Sequence, residues 1–166
     1  MLHIRPIAPG DSIDELTALL HRAYARLAAM GLNYTAVDQS AQVTRERMAG
    51  GTCFVATWHG ALAGTIVVAS HDVDDECAYF AQPGVASAQQ FAVDTPHQGR
   101  GIGRGLLERA ERWARETGHR EIALDTAAQA THLIALYTRL GYRPVSEVRR
   151  AGKVYRSIVF GKPLAD

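Results

Sequence analysis

Apolar residues recur along the chain with two different periods, and these periods predict an alternation of strands and helices. Alternating or short continuous apolar runs predict strands, whereas apolar positions three and four residues apart predict amphipathic helices. The predicted strands are residues 2–7, 52–58, 61–70, 85–93, 121–126, 142–149 and 154–164. The predicted helices run from 13 to about 30, from 38 or 40 to 49, from the glycines at 99–105 to about 117, and from 131 to 140.

Capping residues and turns support this division. Asp11 or Ser12 is predicted to cap the first helix and Thr131 the last, because short polar side chains accept the unpaired N–H groups of a helix start. The resulting order is βααβββαβαββ, which combines antiparallel hairpins with a strand–helix–strand crossover. We therefore expect an α/β (α+β) fold in one domain over residues 1–166, with a mixed sheet and helices on both of its faces.

Composition narrows the class of protein. The 166 residues are 47% hydrophobic and 21% charged, which is typical of a globular domain with a real core. A net charge of +1 gives no broad electrostatic case for nucleic acid or an anionic membrane as partner. Cys53 and Cys77 lack the spacing of metal ligands, so we expect buried free thiols and no metal site. Without a signal-like or membrane-spanning apolar segment, a soluble cytoplasmic protein is expected.

The stretch 91–107 carries the clearest chemical signal. An apolar strand end, Phe91-Ala92-Val93, is followed by Pro96 and then by glycines at 99, 101, 103 and 105 before a helix. Glycine allows backbone N–H groups to converge on one point, and the helix start adds the positive end of its dipole, so the stretch predicts an anion site. Arg100 and Arg104 occupy the expected first turn, where acidic residues are normally favoured, which predicts a phosphate ligand.

Two common phosphate motifs are excluded. The dinucleotide pattern G-x-G-x-x-G fails in every register, and no Gly-Lys pair is followed by the Ser or Thr of an ATP loop. What remains is Gln98-x-x-Gly101-x-Gly103 after the strand, with Tyr137-Thr138-Arg139-Leu140-Gly141-Tyr142 beyond the next strand. This combination resembles the GCN5-related N-acetyltransferase (GNAT) superfamily over the whole domain order.

The resemblance implies a mostly antiparallel sheet of about seven strands, flanked by about four helices, with two central strands splayed apart. It also implies that acetyl-coenzyme A is the co-substrate. Its pantetheine arm would pair with the backbone of Phe91, Ala92 and Val93, and an N–H near Val93 would stabilise the oxyanion. Its phosphates would bind at Gln98, Gly99, Arg100, Gly101, Ile102, Gly103 and Arg104.

Tyr137 matches the family tyrosine that protonates the departing thiolate of coenzyme A. It also shares a helix face with apolar residues, so a purely structural role in the core stays open. Many family members carry an Asn near the start of this helix, where this chain has Ala130. The contact is therefore missing, or Thr131 or His132 replaces it.

The acceptor half of the site is less defined. Asn33, Tyr34, Glu76 and Gln90 are candidate acceptor-binding residues, and candidates for a general base are His71, Glu76, Gln90 and Tyr155. The acidic loop 72–76 would favour a cationic amine, although a solvated loop is the simpler interpretation.

We therefore expect an N-acetyltransferase that moves an acetyl group from acetyl-coenzyme A to a primary amine of a small molecule or peptide. Direct attack in a ternary complex is expected, because neither cysteine lies beside the glycine loop or a histidine. The alternative is a non-catalytic acyl-coenzyme A sensor, and a different acyl chain and a homodimer both stay open.

Overall fold

A computed structural model describes residues 1–165, in which seven strands, four α-helices and two single 3-10 turns follow one another in the predicted order. The strands are β1 Leu2–Pro6, β2 Thr52–Trp58, β3 Ala61–Ala69, β4 Val85–Val93, β5 Glu121–Ala127, β6 Arg143–Val148 and β7 Ser157–Pro163. The α-helices are α1 Ile13–Ala29, α2 Ala41–Ala49, α3 Ile102–Glu116 and α4 Thr131–Arg139. The 3-10 turns are Thr35–Val37 and Thr95–His97.

The strands form one sheet in the order β1-β2-β3-β4-β5-β7-β6. The antiparallel pairs are β1–β2, β2–β3, β5–β7 and β6–β7. β4 and β5 pair in parallel. The parallel register joins residues 85–87 to residues 121–123, and β4 then continues to Val93. The mixed, mostly antiparallel sheet with four helices is therefore confirmed. A short parallel pairing is also what two splayed central strands require.

Two compact units can be distinguished within the described chain. The first contains residues 1–69 and 89–110, and the second contains residues 70–88 and 111–165. The first unit packs α1 on the sheet through a buried apolar cluster of Leu16, Leu19, Leu20, Ala36 and Ala92. The second has its own cluster of Cys77, Phe80, Val85, Ala123 and Val159.

Side-chain caps explain where the first two helices begin, and they correct one prediction. Ser12 accepts from the N–H of Glu15 at the start of α1, and Ser40 accepts from the N–H of Val43 at the start of α2. The prediction that Thr131 caps α4 is wrong. Ala130 occupies the cap position, and Thr131 is already the first helical residue, which lacks the extended backbone that a capping side chain needs.

Both cysteines are buried and free, as expected, and burial raises the pKa of the Cys53 thiol. Over residues 1–165, the longest and most apolar helices still fall short of what a bilayer crossing requires.

Candidate active site

Asp94 anchors the chain where β4 leads into the glycine loop. Its N–H donates to the carbonyl of Ala63 at 2.8 Å, and its carboxylate accepts from the N–H of Thr95 at 3.0 Å. Arg22 of α1 adds two hydrogen bonds, of 3.0 and 2.8 Å, to the same carboxylate. The pKa of Asp94 is lowered, chiefly by hydrogen bonding from Arg22. The start of the loop is thus held on both the strand side and the helix side.

The glycine loop has the backbone that its sequence predicts. Gly99 and Gly101 have φ angles of 82° and 78°, in the left-handed region that glycine adopts without strain. A Cβ at either residue would meet no atom within 4 Å, so the space in front of the loop is open. The carbonyl of Gly101 accepts from the N–H of Gly105 at 3.0 Å, which places the N–H groups of the first turn of α3 at the end of this loop.

These features fit a phosphate group. No acidic residue lies in the first turn of α3, and the first-turn N–H groups have no acceptor within their own helix. The loop therefore offers unpaired first-turn N–H groups, a positive dipole end and open space, which together suit a pyrophosphate.

Arg100 is not in the first turn of α3, which corrects the expectation for that residue. The helix begins at Ile102, so Arg104 alone of the two arginines lies in the first turn. The Nη1 of Arg100 lies 3.1 Å from Nδ1 of His97, and its guanidinium lies 4.9 Å from the centre of the Trp58 ring. Loop geometry thus places this charge against an aromatic side chain rather than on the helix axis.

The end of β4 lies between α1 and α3. Ala92 packs in the cluster under α1, whereas Phe91 and Val93 lie 3.4 and 3.5 Å from where a Cβ on Gly103 would be. The hydroxyl of Tyr24 donates to the carbonyl of Phe91 at 2.8 Å. Because a carbonyl has two lone pairs, this bond leaves capacity for a second donor.

The structure brings Tyr34 and Gln90, two of the predicted acceptor residues, to the same part of the first unit. The ring of Tyr34 lies 5.7 Å from the ring of Tyr24, which itself bonds to β4 at Phe91. Gln90 is 2% exposed and has a φ of 51°, a strained value for a residue with a side chain. Asn33, the third, is exposed just after α1.

Tyr137 lies in the second unit, where it is 5% exposed. Its ring centre is 6.3 Å from that of Tyr142 and 6.2 Å from that of Phe160. These contacts are compatible with a packing role and also with a fixed orientation for its hydroxyl.

A buried charged cluster beside Tyr137 was missed by sequence reasoning. The spacing of four residues between Glu111 and Arg115 predicts an exposed ion pair on the outer face of α3, but Glu111 is 4% exposed. Its carboxylate accepts from the hydroxyl of Tyr142 at 2.9 Å and from Nζ of Lys162 at 3.0 Å, and Arg115 lies 4.0 Å away. Burial, with the neighbouring carboxylate, raises the pKa of Tyr142.

Glu76 has a visible structural contact. Its carboxylate accepts from the N–H of Ala151 at 2.8 Å, within the second unit. Next to it, Arg150 binds Asp75 at 3.2 Å and Asp125 at 2.9 Å. One carboxylate of the acidic loop, that of Asp75, is thus paired with an arginine from elsewhere in the second unit.

The remaining candidates are distributed over the second unit. Tyr155 and Ala130 are buried, His71 and His132 are half-buried, and Thr131 is exposed. Among residues 1–165 no three His, Cys, Asp or Glu side chains are grouped so that they could hold a metal ion.

Comparison with known proteins identifies a family whose sequence profile matches most of the chain. The profile described as the Acetyltransferase (GNAT) family matches residues 15–142. The chain is 30% identical over 146 residues to a mycothiol acetyltransferase of Catenulispora acidiphila, a match that covers 85% of this chain and 43% of that protein. The chain thus spans less than half the length of this relative.

Solved structures share the fold at lower identity. The ribosomal-protein-S18-alanine N-acetyltransferase of Escherichia coli has a TM-score of 0.75 at 20% identity, with 100% of this chain and 96% of that chain covered. A family acetyltransferase of Elizabethkingia anophelis, crystallised with acetyl-CoA bound, has a TM-score of 0.69 at 18% identity, with 98% of each chain covered.

Proposed function

Because this chain belongs to the GNAT acetyltransferase family, we propose that it transfers an acetyl group from acetyl-coenzyme A to a primary amine of a small molecule or peptide. The observation that carries the proposal is the loop before α3, in which Gly99 and Gly101 have positive φ and face open space. A side chain at either position would fill the space in which a pyrophosphate would bind.

The first unit would hold the co-substrate. Backbone N–H groups of residues 99–104 would donate to the phosphate oxygens, and the backbone of residues 91–93 would pair with the pantetheine arm. Acetyl-coenzyme A would supply an activated thioester. The acceptor amine would attack it directly, forming the amide C–N bond as the C–S bond breaks and losing its extra proton to solvent. The N–H of Val93 would then donate to the carbonyl oxygen as negative charge develops on it.

The proposed proton donor is Tyr137. Tyr137 would give its phenolic proton to the departing thiolate, a leaving group that needs little assistance. Direct attack is supported by the cysteines, since both are buried and the raised pKa of Cys53 disfavours its nucleophilic thiolate form.

Binding is tested by thermal unfolding with coenzyme A, acetyl-coenzyme A and, as a control that has phosphates but no pantetheine, ATP. Ligand at about a hundred times its Kd stabilises a folded protein by about 2.7 kcal/mol, so we expect a clear rise in Tm with both coenzymes and a smaller one with ATP. An unchanged Tm with both coenzymes would contradict the proposal.

Catalysis is tested separately, by release of free coenzyme A in the presence of a panel of primary amines. We expect amine-dependent release above the rate of thioester hydrolysis. If the protein binds the coenzymes but releases no coenzyme A with any amine, the result would instead favour the alternative, a non-catalytic acyl-coenzyme A sensor.

A further inference from the structure

Gln90 is a residue of the first unit whose hydrogen bonding is incomplete. It lies in β4, is 2% exposed and has a left-handed backbone, with a φ of 51°. Within residues 1–165 its side-chain Nε2 has no hydrogen-bond partner. A buried polar group without a partner is rare in folded proteins, and a strained backbone often marks a functional position.

The unmet group must be a donor, because its neighbours fix the orientation of the Gln90 amide. An arginine can only donate, and Nη1 of Arg47 lies 2.9 Å from Oε1 of Gln39. The Nε2 of Gln39 therefore points the other way and donates to Oε1 of Gln90 at 2.8 Å. If the Gln90 amide were rotated by 180°, its NH2 group would face the NH2 group of Gln39, and two donors would be opposed. The NH2 group of Gln90 therefore faces away from Gln39.

Gln39 is also held too firmly to move. Its Nε2 donates a second bond to Oγ1 of Thr44 at 2.7 Å, and that hydroxyl lies 2.8 Å from the hydroxyl of Thr17 on α1. The backbone carbonyl of Gln39 lies 2.7 Å from Nε2 of His21. The chain of bonds thus runs from a cation, Arg47, through Gln39 to Gln90, and each bond in such a chain polarises the next.

We propose that Nε2 of Gln90 binds an oxygen atom of the acceptor, and that the acceptor is an amine with a carbonyl or carboxylate group a few bonds from its reacting nitrogen. This inference rests on the proposed function, in which the thioester lies near Val93. Gln90 precedes Val93 by three residues, or about 10 Å of strand, in the direction away from the phosphate loop. An acceptor that approaches the thioester from that side presents its oxygen to Gln90, and a plain alkyl amine leaves the donor unmet.

The test compares amines that differ only in this group. Phenylalaninamide is paired with phenethylamine, and leucinamide with isopentylamine. Each amine is measured by kcat/KM for coenzyme A release and by the Tm of protein saturated with coenzyme A. The variants are Gln90→Glu, which keeps the bond from Gln39 but removes the NH2 donor, and Gln89→Glu, its half-buried neighbour on the same strand, as a matched control.

We expect the wild-type protein to prefer the amide-bearing member of each pair by about tenfold or more, because a missing partner leaves a buried donor unsatisfied. Gln90→Glu should remove this preference, with a larger loss for the amide-bearing amine than for the plain amine, whereas Gln89→Glu should keep the preference. If Gln90→Glu does not fold, Gln90→Met, which is uncharged and of similar length, should give the same loss.

Three results would overturn the inference. The first is an equal loss of kcat/KM for both amines of a pair in the Gln90 variants, and the second is weaker coenzyme A binding by those variants. The third is a wild-type protein that shows no preference for the amide-bearing amines in either acetylation or binding. The proposed function itself fails by a different result, the absence of coenzyme A binding to the wild-type protein.

Discussion

At the scale of single residues, a comparison of Tyr137 and Tyr142 can distinguish a packing role from a catalytic one, because both are buried in the second unit. The ring centres of Tyr137 and Tyr142 are 6.3 Å apart. The hydroxyl of Tyr142 is bonded to the buried carboxylate of Glu111, and its raised pKa makes it a poor proton donor at neutral pH. Tyr142 therefore has a structural role that can be read from its contacts, and it provides a control for Tyr137.

Replacing each tyrosine by Phe should give opposite results. Tyr137→Phe should lower kcat by about tenfold to a hundredfold, because the thiolate loses its proton donor. Tyr142→Phe should lower the free energy of unfolding by about 1.5–3 kcal/mol, since it removes a bond to a buried charge, and should leave kcat within about twofold. Steady-state kinetics and urea unfolding measure the two effects. An unchanged kcat for Tyr137→Phe would show that Tyr137 has only a packing role.

At the scale of elements, the glycine loop works as the connection between a strand and a helix that are both held in place. Arg22 and Asp94 hold the end of β4, and α3 begins immediately after Gly101. The loop between these two points therefore has little freedom. If the loop binds phosphate as proposed, donors arranged in advance would lower the entropic cost of binding.

Gly101→Ala tests this arrangement, with Gly118→Ala as its control. Both glycines have positive φ, of 78° and 83°, and both would place a Cβ in open space. Each variant should lose about 1–2 kcal/mol of stability for the strained backbone. Coenzyme A affinity should fall at least about tenfold for Gly101→Ala alone, as measured by calorimetric titration. Equal affinity in the two variants would show that the loop does not bind the phosphates.

At the scale of the whole molecule, the net charge of +1 at pH 7 becomes strongly positive in acid, and particular ion pairs add to the resulting acid sensitivity. Arg5 donates two hydrogen bonds to Asp11, of 2.7 and 2.8 Å, and these lower the pKa of Asp11 from 3.8 to about 2. A carboxylate whose pKa is lower in the folded state stabilises the protein above its unfolded pKa. This stabilisation is lost as the pH falls through the folded value.

We therefore expect the free energy of unfolding to fall between about pH 4 and pH 2, with Asp11 contributing about 1–2 kcal/mol after allowance for solvent screening. Asp11→Asn should be less stable than the wild type at pH 6 and should show a shallower loss over the acid range. Asp74→Asn, in an exposed loop, should follow the wild-type curve. Urea unfolding at successive pH values gives both curves, and identical slopes for Asp11→Asn and wild type would contradict the assignment.

Features that depend only on neighbouring residues could be predicted from the sequence alone. The elements follow from periods of two and about 3.6 residues, and the positive φ angles of the loop before α3 follow from its glycines, because these set backbone angles locally. The predicted cap of α4 was wrong at this level. Ala130 and Thr131 are adjacent in the chain, and only the backbone conformation decides which of them is the first helical residue.

Tertiary structure decided which distant side chains meet. Arg22 and Asp94 are 72 residues apart, Gln39 and Gln90 are 51 apart, and Glu111 and Lys162 are 51 apart. Helical periodicity placed Glu111 on a polar face, but it did not show that a tyrosine and a lysine from later elements cover that face. Such pairs form when packing and strand register bring the partners together, and the desolvation of a buried polar group then requires a partner.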